Sequence, residues 1–145
     1  MSATLETNAR DAYLMLVRAH EKLTTDFVAL FRDAGLTMPQ YNALRILNGG
    51  PKEGASCQYI GERLLNRVPD VTRMIDRLIA AGLVTRSRST EDRRVVLTKI
   101  TAKGRKLIKS LERPVLQQHR DQLSHMKASD LRTLTRLLQE ALGDD

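Results

Sequence analysis

The sequence predicts one mainly α-helical domain that carries a single small β-hairpin. Three observations support this fold class: apolar residues recur every three or four positions near both ends, two short helical segments flank a tight turn, and two short β-prone runs follow them. The chain has 145 residues, enough for one hydrophobic core but short for two domains. We therefore expect residues 1–145 to form one unit.

The first predicted helix covers residues 8–33. Its apolar or partly apolar positions are three or four residues apart, namely Tyr13, Leu16, His20, Leu23, Phe27 and Leu30. So narrow a seam is typical of a long helix that packs along another long helix rather than into a broad core.

A capping box predicts the start of the second helix. The Thr37 hydroxyl can accept from the Gln40 amide, the Gln40 side chain can reach back, and Pro39 suits the first turn. Gly49 and Gly50 end this helix, whose buried side we predict to be Tyr41, Leu44, Ile46 and Leu47. A short third helix begins after Ser56 as N-cap and carries three apolar residues inward: Ile60, Leu64 and Leu65.

The fourth helix is predicted from Pro69 to Ala81, with the proline at its first position, where a missing amide costs nothing. Its core side is predicted to be Val71, Ile75, Leu78 and Ile79. The helical period then directs four polar residues outward: Thr72, Arg73, Asp76 and Arg77.

Residues 83–88 and 95–100 are β-prone runs joined by a polar stretch, which predicts a β-hairpin. Thr101 can cap the helix that follows, in which Pro114 predicts a kink or a break. The last helix shows a second narrow seam at Leu131, Leu134, Leu138 and Ala141.

The positive charge is confined to the middle of the chain. The formal net charge is +7, and residues 60–106 hold twelve basic against five acidic residues, so the rest of the chain sums to zero. A local excess of this kind indicates a surface that binds a polyanion, since neutralised phosphates supply much of the affinity for duplex DNA. Aromatic residues are only 3% of the chain, which disfavours the stacking platforms that bind single strands.

Several function classes find no support in the sequence. No run approaches the roughly 18 apolar residues of a membrane span, and the segment MSATLETNAR has no signal-peptide core. The absence of both features leads us to expect a cytoplasmic, nucleoid-associated protein. Cys57 is the only cysteine and the three histidines are scattered, so we expect no disulfide, metal or cofactor. No nucleophile lies beside a base and no glycine-rich phosphate loop occurs, so we expect a protein that is not an enzyme.

Two short helices and a hairpin in this order predict a winged helix-turn-helix over residues 37–101, in which the second short helix enters the major groove of DNA. A basic hairpin tip suits the narrow minor groove. Asp70 is interpreted as a helix cap or as an acceptor from cytosine, and Asp76 as a partner of Arg73 on its own helix. The predicted DNA-binding residues are Arg67, Pro69, Asp70, Thr72, Arg73, Arg77, Arg86, Arg88, Asp92, Arg93 and Arg94.

Two segments, IGERLLNRVPDVTRMIDRLIAAGLVTR (60–86) and EDRRVVLTKITAKG (91–104), resemble the MarR family of bacterial transcriptional regulators. The resemblance implies a homodimer whose helices at residues 8–33 and 102–142 intertwine while two winged regions bind a pseudo-palindromic operator. It implies that Asp92 holds Arg94 for the minor groove, and that Asp76 pairs with Arg94 across the wing. The expected dimer interface includes Tyr13, Leu16, His20, Leu131, Leu134 and Leu138.

The resemblance also implies a repressor that is relieved by a small aromatic or phenolic effector, bound in the crevice between the dimer helices and the winged region. Thiol-based peroxide sensors of this family carry their cysteine in the first helix, so Cys57 is interpreted as structural. Two other functions remain open at this point: a sequence-neutral architectural DNA-binding protein, and a module that binds only other proteins.

Overall fold

The computed structural model describes residues 2–143, which form six helices and one two-stranded antiparallel sheet. In chain order, the elements are α1 (Ser2–Asp33), α2 (Met38–Gly49), α3 (Cys57–Arg63), α4 (Val71–Ala80), β1 (Val84–Arg88), β2 (Val96–Ile100), α5 (Ala102–Leu123) and α6 (Ala128–Leu142). The predicted order of elements is confirmed.

Local capping rules place several element boundaries correctly. The Thr37–Gln40 capping box is present in both directions, with N···O distances of 3.0 and 3.2 Å. Ser56 caps α3 by accepting from the Tyr59 amide at 3.1 Å, and Thr101 caps α5 by accepting from the Gly104 amide at 3.1 Å.

The predicted start of α1 is wrong, and of the kink or break predicted at Pro114 the break does not occur. Helix α1 begins at Ser2, six residues before the predicted start. Ala3, Leu5 and Glu6 favour the helix, and the Thr7 hydroxyl, which could cap a later start, instead donates to the Ala3 carbonyl at 2.8 Å. Pro114 does not break α5, which is continuous from Ala102 to Leu123. Pro114 and Ser110 are both exposed, so water can reach the Ser110 carbonyl that loses its hydrogen-bond partner.

The core lies in the winged region and along the junction of α1, α2 and α5. Its largest fully buried side chains are Leu44, Ile60, Ile75, Leu78, Val84 and Thr98. An aromatic ladder joins the three helices. The ring centroid of His119 on α5 lies 4.7 Å from that of Phe27 on α1. The Phe27 ring stacks on Phe31 with centroids 5.9 Å apart, and the Phe31 ring stacks on Tyr41 of α2 with centroids 4.1 Å apart. The ladder connects the long helices to the winged region.

The long helices lie largely outside this core. Residues 3–22 of α1 are all exposed, and α6 has no buried residue. None of the helices between residues 2 and 143 combines the length and the hydropathy that a membrane span needs.

Candidate nucleic-acid interface

The turn between α3 and α4 is fixed at both ends by side-chain hydrogen bonds. The backbone amide of Leu65 donates to Asn42 Oδ1 on α2 at 2.8 Å, and the amide of Arg73 donates to Asp70 Oδ1 at 2.9 Å. These two contacts attach the turn to α2 and to the start of α4. Asp70 is therefore the N-cap of α4, which is the first of the two interpretations given above.

The predicted positions of Pro69 and Leu65 are wrong. Helix α4 begins at Val71 with Asp70 as N-cap, so Pro69 precedes the cap instead of opening the helix. The carboxylate of Asp70 satisfies a free backbone amide, which outweighs the preference of proline for a first helical position. Helix α3 ends at Arg63 with Leu64 in extended conformation, and the chain turns so that Leu65 is 85% exposed.

Helix α4 presents a polar face to solvent. Met74, Ile75 and Leu78 are buried against the core, and the helical period leaves the opposite side exposed, as predicted. That side carries Thr72, Arg73, Asp76 and Arg77.

The hairpin forms a wing whose tip is held by a set of short contacts. Strands β1 and β2 pair from Val84↔Ile100 to Arg88↔Val96. The amide of Ser89 donates to the carbonyl of Val95 at 2.8 Å, and Arg88 Nη1 donates to the carbonyl of Arg93 at 2.8 Å. The Arg88 guanidinium thus spans the loop, with one of its donors used on the protein itself.

Asp92 orients Arg94 at the tip of the wing. Asp92 Oδ1 accepts from the Arg94 amide at 3.0 Å and from Arg94 Nε at 3.2 Å, while Oδ2 accepts from Nη2 at 3.4 Å. The Arg94 side chain is 91% exposed in spite of these contacts. The guanidinium therefore stands in solvent at the end of the wing in a restrained orientation.

Asp76 pairs with Arg86, so both expected partners of Asp76 are wrong. Arg86 Nη2 donates to Asp76 Oδ1, which links the exposed face of α4 to strand β1. Arg86 is two positions from the buried Val84 on β1, so both side chains lie on the same face of the hairpin, and this face is turned toward α4. Arg94 lies beyond the strand in the loop and is bound by Asp92 instead. The link fixes the position of the wing relative to α4.

Two polar residues near this surface, Asn42 and Arg63, were not among the predicted site residues. Asn42 holds the turn, but no local pattern identifies a contact between residues 23 positions apart. Arg63 on α3 lies with its guanidinium carbon 3.5 Å from the centroid of the Tyr59 ring, and Nη1 donates to the Tyr59 carbonyl at 3.2 Å. The i, i+4 spacing of Tyr59 and Arg63 could have revealed that pair.

Part of the basic segment does not lie on the face formed by α4 and the wing. Lys103 Nζ donates to the carbonyl of Ala81 at 2.8 Å and so caps the C-terminal end of α4. Lys99 and Arg105 line a separate cleft with Lys52 on the other side of β2. The remaining predicted cations, Arg67 in the turn and Arg93 at the wing tip, are exposed.

Two clefts lie beside the start of α2. One, of about 400 Å³, lies between the N-terminal ends of α2 and α4 and is lined in part by Asp70, Arg73 and Arg77. The other, of about 470 Å³, lies between α1 and the start of α2, and His20 lines it. Thr37 and Pro39 line both clefts, so the two clefts are adjacent at the start of α2.

The predicted dimer residues are accessible in this chain. Tyr13 is 65% exposed, Leu16 is 45% exposed and Leu134 is 40% exposed, while His20 is also exposed and Leu131 and Leu138 are half-buried. A monomeric protein rarely leaves so many large apolar side chains along two helices in contact with water.

The MarR family profile matches residues 36–96 of this chain. The organic hydroperoxide resistance transcriptional regulator of Bacillus subtilis is 33% identical over 90 residues, which are 62% of this chain and 60% of that protein. The transcriptional regulator FarR of Neisseria gonorrhoeae is 30% identical over 72% of this chain and 70% of its own length.

A solved structure agrees with both matches. The MarR transcription factor from Planctomyces limnophilus is 43% identical, with a TM-score of 0.71 over 89% of this chain and 93% of that chain. The similarity thus extends beyond the winged region to the long helices. The resemblance carried by residues 60–86 and 91–104 is confirmed, and the chain belongs to the MarR family of bacterial transcriptional regulators.

Proposed function

We propose that this protein is a homodimeric transcriptional regulator that binds a specific duplex operator and represses the genes beside it. The observation that carries the proposal is the restrained pair of reading elements: a polar, exposed α4 face linked through Asp76 and Arg86 to a wing that ends in Arg94. Helix α4 would enter the major groove, and the wing the flanking minor groove.

The residues of this surface have different roles in the proposal. Thr72, Arg73 and Arg77 contact base edges or phosphates in the major groove, and Arg94 enters the minor groove. Pro69 and Asp70 shape the start of α4, while Asp76 and Asp92 act as positioning residues. Arg67, Arg88 and Arg93 are assigned to phosphates. Arg86 is assigned a positioning role instead, because it contacts Asp76.

The single domain, residues 1–145, divides in this proposal into a DNA-binding region at 37–101 and dimerisation helices at 8–33 and 102–142. The exposed apolar side chains of α1 and α6 support that division. Two winged regions related by a two-fold axis would bind a pseudo-palindromic operator.

Relief of repression by a small aromatic or phenolic effector is the second part of the proposal. The crevice of about 470 Å³ beside His20 offers apolar contacts from Val28, Leu36 and Met38 and a cation from Arg32. Its size suits a small molecule. A ligand there would contact α1 and the start of α2, next to the cleft that reaches Arg73.

The proposed role is non-catalytic and is exercised on chromosomal DNA in the cytoplasm, in association with the nucleoid. A sequence-neutral architectural function is not favoured, because the matched relatives are named as transcriptional regulators. The Bacillus relative is named for organic hydroperoxide resistance, but Cys57 lies at the start of α3 and is half-buried, so we propose no peroxide sensing here.

Selection of genomic fragments tests the proposal. The full-length protein is mixed with sheared DNA from its own genome and an excess of random competitor, and the retained fragments are sequenced. We expect a few fragments that share an inverted repeat, and loss of their retention in Arg73→Ala. Retention of fragments with no common motif would contradict a specific operator.

A further inference from the structure

A basic cleft lies apart from the face formed by α4 and the wing. It sits between the end of α2, strand β2 and the start of α5, and it has a volume of about 310 Å³. Three cations line it, one from each of three segments: Lys52 from the loop after α2, Lys99 from β2 and Arg105 from α5.

The cations of this cleft have no ion-pair partner within the part of the chain that the structure describes. No aspartate or glutamate lines it, and none of the three cations forms an ion pair with any residue from 2 to 143. The C-terminal end of α2 contributes the equivalent of roughly half a negative charge, which offsets only part of three positive charges. An anion in the cleft would relieve the repulsion that remains.

Backbone and side-chain contacts fix the segments that carry the three cations. The amide and the carbonyl of Ala55 both pair with Thr98 on β2 at 2.8 Å, so the loop that carries Lys52 is fixed to the strand that carries Lys99. Gly54 permits this approach, because a Cβ there would lie 2.6 Å from the Thr98 carbonyl oxygen. Arg105 Nη1 donates to the Ile100 carbonyl at 3.2 Å, which holds the guanidinium along the cleft and leaves its other donors available.

We propose that this cleft binds a compact oxyanion, the phosphoryl or carboxylate group of a small molecule. A planar arginine fork beside two ammonium groups is suited to an oxyanion with several acceptor oxygens. A small ligand fits better than a duplex, because the three cations line a recess of about 310 Å³ and not an extended ridge. The proposal does not rest on DNA binding.

Calorimetric titration of the full-length protein tests the proposal, with inorganic pyrophosphate and succinate as separate probes at constant ionic strength. We expect saturable binding of at least one probe and a rise in melting temperature with its concentration. The probe that binds identifies the group as phosphoryl or carboxylate. The absence of saturable binding by both probes would overturn the proposal.

Two cleft variants and one control locate the binding. Lys99→Gln with Arg105→Gln should weaken it by about tenfold or more. Lys52→Gln, on an exposed loop, should also weaken binding, and it tests the site independently if the double variant folds poorly. The control is Lys106→Gln with Lys109→Gln, which removes equal charge from exposed positions of α5 outside the cleft and should bind as the unmodified protein does. An equal loss in the control would contradict a defined site.

The same variants separate a small anion from DNA. We expect the salt dependence of operator affinity to be unchanged in Lys52→Gln, since the cleft lies away from the face formed by α4 and the wing. A smaller salt slope would mean that flanking DNA occupies the cleft, and would overturn the proposal.

Discussion

Arg86 on β1 donates to Asp76 on α4, and this contact joins the two elements that are proposed to bind DNA. Asp76 lies beside Arg73 and Arg77 on the exposed face of the helix, while Arg86 stands on the hairpin face directed at that helix. Because both groups are partly exposed, the pair contributes little to stability. Its effect is expected in the geometry with which helix and wing meet DNA.

We predict that Asp76→Asn lowers the preference for operator over random duplex by about fivefold, or about 1 kcal/mol. The wing loses its link to α4, and the loss of a negative charge strengthens nonspecific contact with phosphates. Competition binding measures the preference, and the melting temperature should change little. Glu91→Gln, which neutralises an acid in the same region without breaking this link, is the control. Equal loss of preference in both variants would assign the effect to charge alone.

Arg94→Ala should weaken operator binding by about 1–3 kcal/mol, because the guanidinium that Asp92 restrains is lost from the minor groove. Lysine should restore only part of the affinity, since it lacks the planar fork. Asp92→Asn should cost less than Arg94→Ala. Fluorescence anisotropy measures each affinity. The wing would be only a structural hairpin if Arg94→Ala bound normally while Arg73→Ala did not.

Replacing Leu134 and Leu138 with aspartate should convert the dimer into monomers or unfolded chains. Both side chains lie on the accessible seam of α6, where the proposed interface would bury them. Sedimentation velocity measures the change. Leu65→Asp, at a more exposed leucine in the turn before α4, should leave the dimer intact. A folded monomer from the unmodified chain would contradict the interface.

Gly104→Ala should destabilise the fold by about 1–3 kcal/mol. A Cβ at Gly104 would lie 2.3 Å from the carbonyl oxygen of Leu83 and 2.7 Å from Ile100 Cγ1, so the start of α5 must move away from the hairpin. Gly49→Ala is the matched control, because a Cβ there meets nothing within 4 Å. Chemical denaturation compares the two variants, and similar stabilities would contradict the tight packing of α5.

Local chemistry explains which parts of the fold were predictable. The caps at Thr37, Ser56 and Thr101 depend on residues three positions apart, so the sequence is sufficient to find them. The sequence does not decide where α4 begins, because Pro69 and Asp70 each carry a valid signal for a helix start and only the hydrogen bond from the Arg73 amide to Asp70 distinguishes them. The sequence also does not show whether Pro114 interrupts α5, because this depends on which side of α5 faces solvent.

Most residues of the candidate site were predictable, as was the contact of Asp92 with Arg94 inside the wing, but the contacts that join different elements were not. The helical period identified the exposed side of α4, and the polar loop identified the wing tip. The partner of Asp76 depends on which face the hairpin turns toward α4, and the Asn42 contact depends on how α2 packs against the turn. Neither arrangement has a signature in neighbouring residues.

The most direct test of a sequence-specific DNA-binding surface is a salt series of anisotropy titrations on a retained genomic fragment and on its scrambled sequence. We predict that the logarithm of the affinity falls steeply with the logarithm of the salt concentration for both duplexes, because several phosphates are neutralised. The retained fragment should remain preferred by about 1,000-fold or more near physiological salt. A flat salt dependence, or equal affinity for the two duplexes, would contradict the account.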